Sequence, residues 1–156
     1  KYKAYLSQKL EADVFLILEQ FANSKENLGE RVNCEALKCF RNWVDFSTDP
    51  QIIKKALTHP MLKITFEALK DPDLNAVASE TIENILTQFK MGAECPDEYY
   101  NNILIEMVNQ IPNCTKAIED KKYRIASGYI DMFMRFGKVF MKKYIFDFNQ
   151  YVQNLV

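Results

Sequence analysis

"NCEALKCFRNWVDFS" (residues 33–47) contains two of the chain's four cysteines and its single tryptophan. Over residues 30–45 the apolar side chains recur at the spacing of an amphipathic helix. They are Val32, Ala36, Leu37, Phe40, Trp43 and Val44. Cys34 and Cys39 are five residues apart, so on a helix they point roughly 140° away from each other and cannot share one zinc ion. The stretch therefore predicts a core-facing helix with a buried tryptophan and no structural metal.

The same apolar pattern recurs twice further along the chain. A shift of 42 residues places this helix on a helix of residues 74–90, and a shift of 48 places that one on a helix of about 120–143. The apolar matches include Val32 with Leu74, Phe40 with Ile82, Trp43 with Ile85, Val44 with Leu86, Val77 with Ile125, Ile82 with Ile130, Ile85 with Phe133 and Leu86 with Met134. A small residue recurs at Ala36, Ala78 and Ala126.

Two-helix units with a period in the forties are typical of HEAT and armadillo repeats, which bury a continuous core between neighbouring units. We therefore predict an all-α solenoid fragment of about three helix pairs plus a partial terminal helix. The repeat units are about residues 10–45, 51–90 and 97–143, with a partial repeat at 145–156. The apolar side of that last segment is expected to pack on a neighbour, in the chain or in a second molecule.

Turn and cap residues set the remaining helix boundaries. A helix of residues 10–22 is expected to bury Leu10, Val14, Ile17, Leu18 and Phe21. After a short helix at 52–57, Pro60 suits the first turn of the next helix, where its missing N–H costs nothing. That helix carries Met61, Leu62, Phe66 and Leu69. Asp73 is the expected N-cap of the 74–90 helix, and Pro112 is expected to end a helix of about 98–110.

Composition favours a helical binding protein and excludes several other classes. The 156 residues suffice for one domain, and 4 Gly and 5 Pro are few for an all-β fold. With 20 basic and 21 acidic residues, the chain has no bulk attraction for nucleic acid or an anionic membrane. No apolar run approaches the roughly 18 residues of a membrane span. Four cysteines without paired spacing suit a reducing compartment.

The sequence contains no recognisable catalytic or cofactor-binding motif. His59 is the only histidine and directly precedes Pro60, so it is expected at a helix start. No phosphate-binding glycine loop, dinucleotide fingerprint or zinc-protease motif occurs. We therefore predict no catalytic residues, no cofactor and no metal, and a chain that is not an enzyme.

A polar ridge on the repeated helices is the candidate site. In the register that aligns the core, Lys38 aligns with Glu80, Arg41 with Glu83 and Asp131, and Asp45 with Arg135. One interpretation is a partner-binding ridge made of these seven residues. The other is a set of surface ion pairs between repeats, each worth roughly 0–1 kcal/mol.

Several stretches resemble the exportin-one-like segment of nuclear transport receptors of the importin-β superfamily. They are Phe40-Arg41-Asn42-Trp43, Met61-Leu62 with Phe66-Glu67-Ala68-Leu69, Asp71-Pro72-Asp73 and Ala78-Ser79-Glu80. "YIDMFMRFGKVFMKKYI" (residues 129–145) is similar to the transportin-SR and importin-thirteen branch.

This resemblance implies a segment of a larger karyopherin that wraps protein or RNA–protein cargo and the GTPase Ran with its inner, concave helices. The main Ran contact of the family lies in earlier repeats, outside this segment. Nucleoporins are further candidate partners, while direct nucleic-acid and membrane binding are not expected. The implied location is both nucleus and cytoplasm. The alternative is a helical-repeat scaffold or adaptor in vesicle trafficking or phosphatase regulation.

Overall fold

A computed structural model describes the backbone of residues 2–24, 29–46, 50–90 and 97–153, and the side chains of 9–24, 29, 31–45, 54–88 and 101–140. Within these residues the fold is all-α, as predicted, with seven helices and no strand. The helices are α1 (Tyr2–Asn23), α2 (Glu30–Phe46), α3 (Pro50–Thr58), α4 (Pro60–Ala68), α5 (Asn75–Lys90), α6 (Asp97–Glu119) and α7 (Tyr123–Gln153).

The three helices of the repeated pattern form one row. Helix α5 lies between α2 and α7 and packs on both. Asn75, at the start of α5, contacts Ile125 near the start of α7. Glu83, two turns further along α5, reaches Arg135, further along α7. These two contacts make α5 and α7 parallel, which is the arrangement expected of equivalent helices in successive repeats.

The second layer is formed by α1, α3, α4 and α6. Helix α1 packs on α2 and α4, and α6 packs on α7. Lys55 Nζ lies 3.0 Å from the largely buried carboxylate of Glu11, and one turn later His59 Nε2 lies 3.0 Å from the Phe15 carbonyl oxygen. The end of α3 therefore runs alongside α1 in the same direction.

The prediction of a helix start at His59-Pro60 is confirmed. Pro60 occupies the first turn of α4, and His59 is its N-cap, because the Met61 N–H donates to His59 Nδ1 at 3.2 Å. The imidazole packs edge-on against Phe15, with ring centroids 5.2 Å apart, and next to Phe40. The ring thus joins α1, α2 and α4.

Most of the predicted core is confirmed. The buried positions on the predicted stripes are Leu18, Leu37, Phe40, Val44, Met61, Phe66, Leu69, Leu74, Val77, Ala78, Ile82, Ile85, Leu86, Ile125 and Ala126. Trp43, Val14, Phe21, Ala36, Leu62 and Phe133 are partly buried and pack against this core.

The prediction of a core position is wrong for five residues, because their side chains are exposed. They are Leu10, Ile17, Val32, Ile130 and Met134. On α1 the buried side is centred on Phe15 and Leu18, so Leu10 and Ile17 lie on its flanks. The other three lie on the two end helices of the row, α2 and α7, each of which has a described neighbour in the row on one side alone.

Pro112 does not end its helix, which corrects the prediction. Helix α6 passes through Pro112 and continues to Glu119. Buried Met107 precedes the proline, and buried Cys114 and Ala117 follow it on the same face. Packing on both sides of the proline thus offsets the loss of one backbone hydrogen bond.

Two other boundaries also differ from the prediction. Helix α7 is continuous to Gln153, so residues 145–153 do not begin a new helix; no glycine or proline lies between Lys138 and Gln153 to break it. The packing of the apolar side of 145–156 lies outside the described side chains. Before α5, the Asp73 N–H donates to Asp71 Oδ1 at 2.9 Å, so Asp71 closes this turn and Asp73 is not the cap.

A tight turn joins α6 to α7. Lys121 adopts the left-handed conformation, with φ of 58°. The Lys122 N–H donates to the Ala117 carbonyl at 2.8 Å, and the Lys121 N–H donates to Ile118 at 3.0 Å. This pair of bonds is the Schellman motif, which usually places glycine at the left-handed position.

Candidate functional site

The seven predicted ridge residues all lie on the row α2, α5 and α7. Asp45, Glu80 and Asp131 are exposed, while Lys38, Arg41, Glu83 and Arg135 are of intermediate exposure. We call this set the polar ridge: Lys38, Arg41, Asp45, Glu80, Glu83, Asp131 and Arg135. The position of the polar ridge does not test whether it binds a partner, so its binding role stays a prediction.

Two ion pairs link the helices across the polar ridge, but with shifted partners. Arg41 Nη1 pairs with Glu80 Oε2, not with Glu83, its equivalent in the register. Glu83 Oε2 instead lies 3.4 Å from Arg135 Nη2. Charge explains the second shift, because the register sets Glu83 against the like-charged Asp131, whereas Arg135 lies one helical turn away. Each pair is partly exposed, so it contributes roughly 0–1 kcal/mol.

Two further ridge residues, Lys38 and Asp131, interact within their own helices. Lys38 Nζ lies 2.9 Å from Glu35 Oε1. That hydrogen bond lowers the pKa of Glu35 and raises the pKa of Lys38. The hydroxyl of Ser127 lies 3.5 Å from Asp131 Oδ2. The ridge thus alternates acidic and basic groups, which suits a mixed-charge protein surface better than a nucleic-acid backbone.

A buried polar contact, which the sequence did not reveal, fixes α5 against α7. Asn75 is 2% exposed. Its amide Nδ2 donates to the Leu69 carbonyl at 2.7 Å and reaches the Ile125 carbonyl at 3.5 Å. Gly128 of α7 lies against this amide, and a Cβ at Gly128 would be 2.9 Å from Asn75 Cγ. We call this contact the Asn75–Gly128 joint. Its only sequence signal is an asparagine and a glycine inside helical patterns.

Two of the described thiols, Cys39 and Cys114, and the buried Tyr129 are poor nucleophiles. Cys34, Cys39 and Cys114 are free thiols, and burial raises the pKa of Cys39 and of Cys114. Burial, with a smaller contribution from Cys114, raises the pKa of Tyr129 to about 12. Its hydroxyl has no hydrogen-bond partner among the described residues. Cys39, Cys114 and Tyr129 are therefore protonated near neutral pH, which disfavours nucleophilic catalysis by these three groups.

His59 borders a cleft but is already engaged on both ring nitrogens. The cleft, of about 300 Å³, lies between the α3–α4 junction and α6. Nδ1 accepts from Met61 and Nε2 contacts the Phe15 carbonyl, which places the proton on Nε2. A general base needs a free nitrogen facing a nucleophile, and His59 offers none in this arrangement.

Among the described residues, no group of histidine, cysteine, aspartate or glutamate side chains is arranged to hold a metal ion. None of the helices in the described part of the chain is long and apolar enough to cross a membrane.

No family model, curated protein or solved structure matches the chain. The resemblance to nuclear transport receptors therefore stays a proposal.

Proposed function

We propose that this chain is a helical-repeat segment of a nuclear transport receptor. In this proposal it binds protein or RNA–protein cargo, and the receptor carries that cargo through the nuclear pore under the control of Ran. It acts by binding and not by catalysis, needs no cofactor, and is found in both nucleus and cytoplasm. Nucleoporins are candidate partners of the same receptor, and the main Ran contact belongs to other repeats.

The polar ridge is the main observation that supports the binding role. Three helices of the row contribute side chains to one surface, and the ion pairs Arg41–Glu80 and Glu83–Arg135 cross between them. Because these pairs are partly exposed, each costs little to open when a partner offers a better charge. Exposed Asp45 and Asp131 provide further acceptors on α2 and α7.

The transport role itself is supported by the resembling stretches. The stretch at Phe40–Trp43 lies on α2 and contributes fully buried Phe40, while Met61 and Phe66 of the second stretch are core residues of α4. Ala78 and Glu80 of the last stretch lie on α5, one inside the core and one on the polar ridge. The motif residues thus contribute both to the core and to the polar ridge, which is what the proposal requires of a repeat of this type.

The test uses the natural protein that carries this segment, with Ran loaded with GTP or GDP as the probe. Surface plasmon resonance should give Ran·GTP binding at least about tenfold tighter than Ran·GDP, as the proposal requires. Equal binding, or none, would contradict the transport role and favour an adaptor, which ignores Ran.

A second experiment tests whether the polar ridge binds cargo. Proteins whose binding responds to Ran·GTP define the cargo, and their affinity is compared between the natural protein and the variant Arg41→Glu, Glu83→Lys, Asp131→Lys. A matched control, Lys63→Glu with Glu67→Lys, reverses exposed charges on α4. Loss of cargo binding in the ridge variant alone supports the assignment. Equal affinity in both variants would show that the ridge is structural.

A further inference from the structure

A pocket of about 190 Å³ lies where the turn after α4 meets α6 and α7. Its walls are formed by that turn, the second half of α6 and the first turns of α7. We call it the lysine pocket, after Lys70, Lys116 and Lys122 in its lining. One water needs only about 10–15 Å³ of such a cavity, so the lysine pocket has room for a small ion. Its walls come from elements that are already packed together within the chain.

The lining of the lysine pocket carries excess positive charge. Its three lysines are all exposed, and Asp120 is the acidic residue among the lining side chains. Lys122 Nζ lies 3.4 Å from Asp120 Oδ2, so these two charges offset each other. Lys70 and Lys116 form no ion pair with any described residue. Three lysines against one aspartate therefore leave two unbalanced positive charges around the pocket.

A buried hydroxyl without a partner lies on the inner side of the same pocket. Tyr129 lines the pocket and is 0% exposed. Its hydroxyl has no hydrogen-bond partner among the described residues, which is rare for a buried polar group. Because burial raises the pKa of Tyr129 to about 12, this hydroxyl keeps its proton near neutral pH and can donate it. The pocket thus places a donor without an acceptor behind two unpaired cations.

A second donor comes from α6. Asn113 lines the lysine pocket, and its Nδ2 donates one hydrogen to Gln110 Oε1 at 3.0 Å. An amide nitrogen carries two hydrogens, so the other can serve an acceptor in the pocket. Hydroxyl, amide and ammonium groups together favour an occupant that accepts hydrogen bonds and carries negative charge.

The end of α6 beside the pocket does not repel such an occupant strongly. The carbonyls of a helix C-terminus carry partial negative charge when they are unsatisfied. Here the Lys116 carbonyl accepts from the Asp120 N–H at 2.9 Å, and the Ala117 carbonyl accepts from the Lys122 N–H at 2.8 Å. These hydrogen bonds leave the lysine ammonium groups as the dominant charges at the pocket.

We propose that the lysine pocket binds a small tetrahedral oxyanion, inorganic phosphate or sulfate, which accepts from the Tyr129 hydroxyl and is neutralised by Lys70 and Lys116. The two unbalanced lysine charges match a doubly charged anion better than a singly charged carboxylate. Because the lining comes from the turn after α4 and from both α6 and α7, the bound ion would tie one repeat to the next. A ligand that binds only the folded chain also stabilises it.

The first test is a calorimetric titration of inorganic phosphate into the full chain, near neutral pH and at constant ionic strength, with acetate as the comparison. We expect saturable one-to-one binding of phosphate that is tighter than that of acetate. Tyr129→Phe removes a hydrogen bond to a charged group, so it should weaken binding at least about tenfold. Lys70→Gln with Lys116→Gln should weaken it at least about threefold.

A matched control removes the same charge elsewhere. Lys54 and Lys63 are exposed on α3 and α4 and do not line the lysine pocket. Lys54→Gln with Lys63→Gln should therefore leave phosphate binding unchanged. If this control weakens binding as much as the change at Lys70 and Lys116, the attraction comes from overall charge and the proposal is overturned.

Thermal unfolding followed by circular dichroism provides an independent test. Phosphate should raise the unfolding temperature of the natural chain above that in chloride at the same ionic strength, and it should not do so for Tyr129→Phe. In buffer without phosphate or sulfate, Tyr129→Phe should be at least as stable as the natural chain, because it removes an unsatisfied hydroxyl. Loss of stability there would show that the hydroxyl already has a partner. That result, absence of phosphate binding, or equally tight binding of acetate would each overturn the proposal.

Discussion

The Asn75–Gly128 joint and the polar ridge both connect α5 to its neighbours, yet they do so by different physics. The joint is buried and neutral, and it places an amide between two backbone carbonyls with no room for one more carbon atom. The ridge is partly exposed and charged, and its partners differ by about one helical turn from the sequence register. The joint tolerates no displacement, whereas the ridge adapts to the nearest opposite charge.

The two kinds of contact differ in how much free energy it takes to break them. An unsatisfied buried amide or carbonyl costs about 1–3 kcal/mol, so the joint fixes how α7 lies on α5. An exposed ion pair contributes roughly 0–1 kcal/mol, so the ridge can exchange its partners at little cost. A surface that must bind other proteins is better built from the second kind of contact.

The largest effect should follow from adding one methyl group at the joint. Gly128→Ala places a Cβ against the Asn75 side chain and should lower the free energy of unfolding by about 1–3 kcal/mol. Gly137→Ala is the control on the same helix, because no atom beyond its chain neighbours and the adjacent backbone of α7 lies within 4 Å of its Cβ position. That variant should instead stabilise the chain by up to about 1 kcal/mol. Urea unfolding measures both.

A double-mutant cycle sharpens the same prediction. Asn75→Ala should cost about 1–3 kcal/mol, because the Leu69 and Ile125 carbonyls lose their donor. It also makes room for the new methyl group, so the double variant Asn75→Ala, Gly128→Ala should cost less than the two single variants together. Strict additivity would show that the two residues do not share one contact.

The next effect concerns the histidine that joins α1, α2 and α4. His59→Ala removes the N-cap of α4 and the contact with the Phe15 carbonyl, and should cost about 1–2 kcal/mol. His59→Asn offers a capping oxygen in place of Nδ1 but is too short to reach Phe15, so it should recover part of the loss. If both variants lose the same free energy, the cap contributes nothing.

A smaller effect of opposite sign is expected at the α6–α7 turn. Lys121 holds a left-handed conformation that glycine adopts without strain. Lys121→Gly should therefore raise the free energy of unfolding by about 1 kcal/mol. Lys122→Gly, next to it and not left-handed, should destabilise the chain. Thermal unfolding followed by circular dichroism compares the two.

The sequence predicted the row of repeated helices well, because the spacing of apolar residues indicates directly which side of a helix is buried. Phe40 and Ile82 are both buried, as the shift of 42 residues required, and so are Val77 and Ile125, as the shift of 48 required. The pattern could not distinguish an inner helix from an end helix, so Ile130 was expected in the core. Periodicity records which side of a helix is apolar, but only the neighbours decide whether that side is covered.

Boundaries and polar partners were less predictable for a similar reason. Pro112 is a local signal for a helix end, and packing on both sides of it overrides that signal. Asp71 and Asp73 are equally good turn residues in the sequence, and only the backbone path selects Asp71. The joint between Asn75 and Gly128 spans residues far apart in the chain, so no local pattern could reveal it.

The most direct test compares the two regions in one measurement, the free energy of urea unfolding. Three charges of the polar ridge are reversed together, in the variant Arg41→Glu, Glu83→Lys, Asp131→Lys, and compared with the single methyl group of Gly128→Ala. We expect the triple reversal to lower the free energy of unfolding less than Gly128→Ala does. It breaks two partly exposed pairs worth roughly 0–1 kcal/mol each, and solvent screens the like charges that it brings together. A larger loss from the triple reversal would contradict this expectation and would make the ridge a structural element of the row.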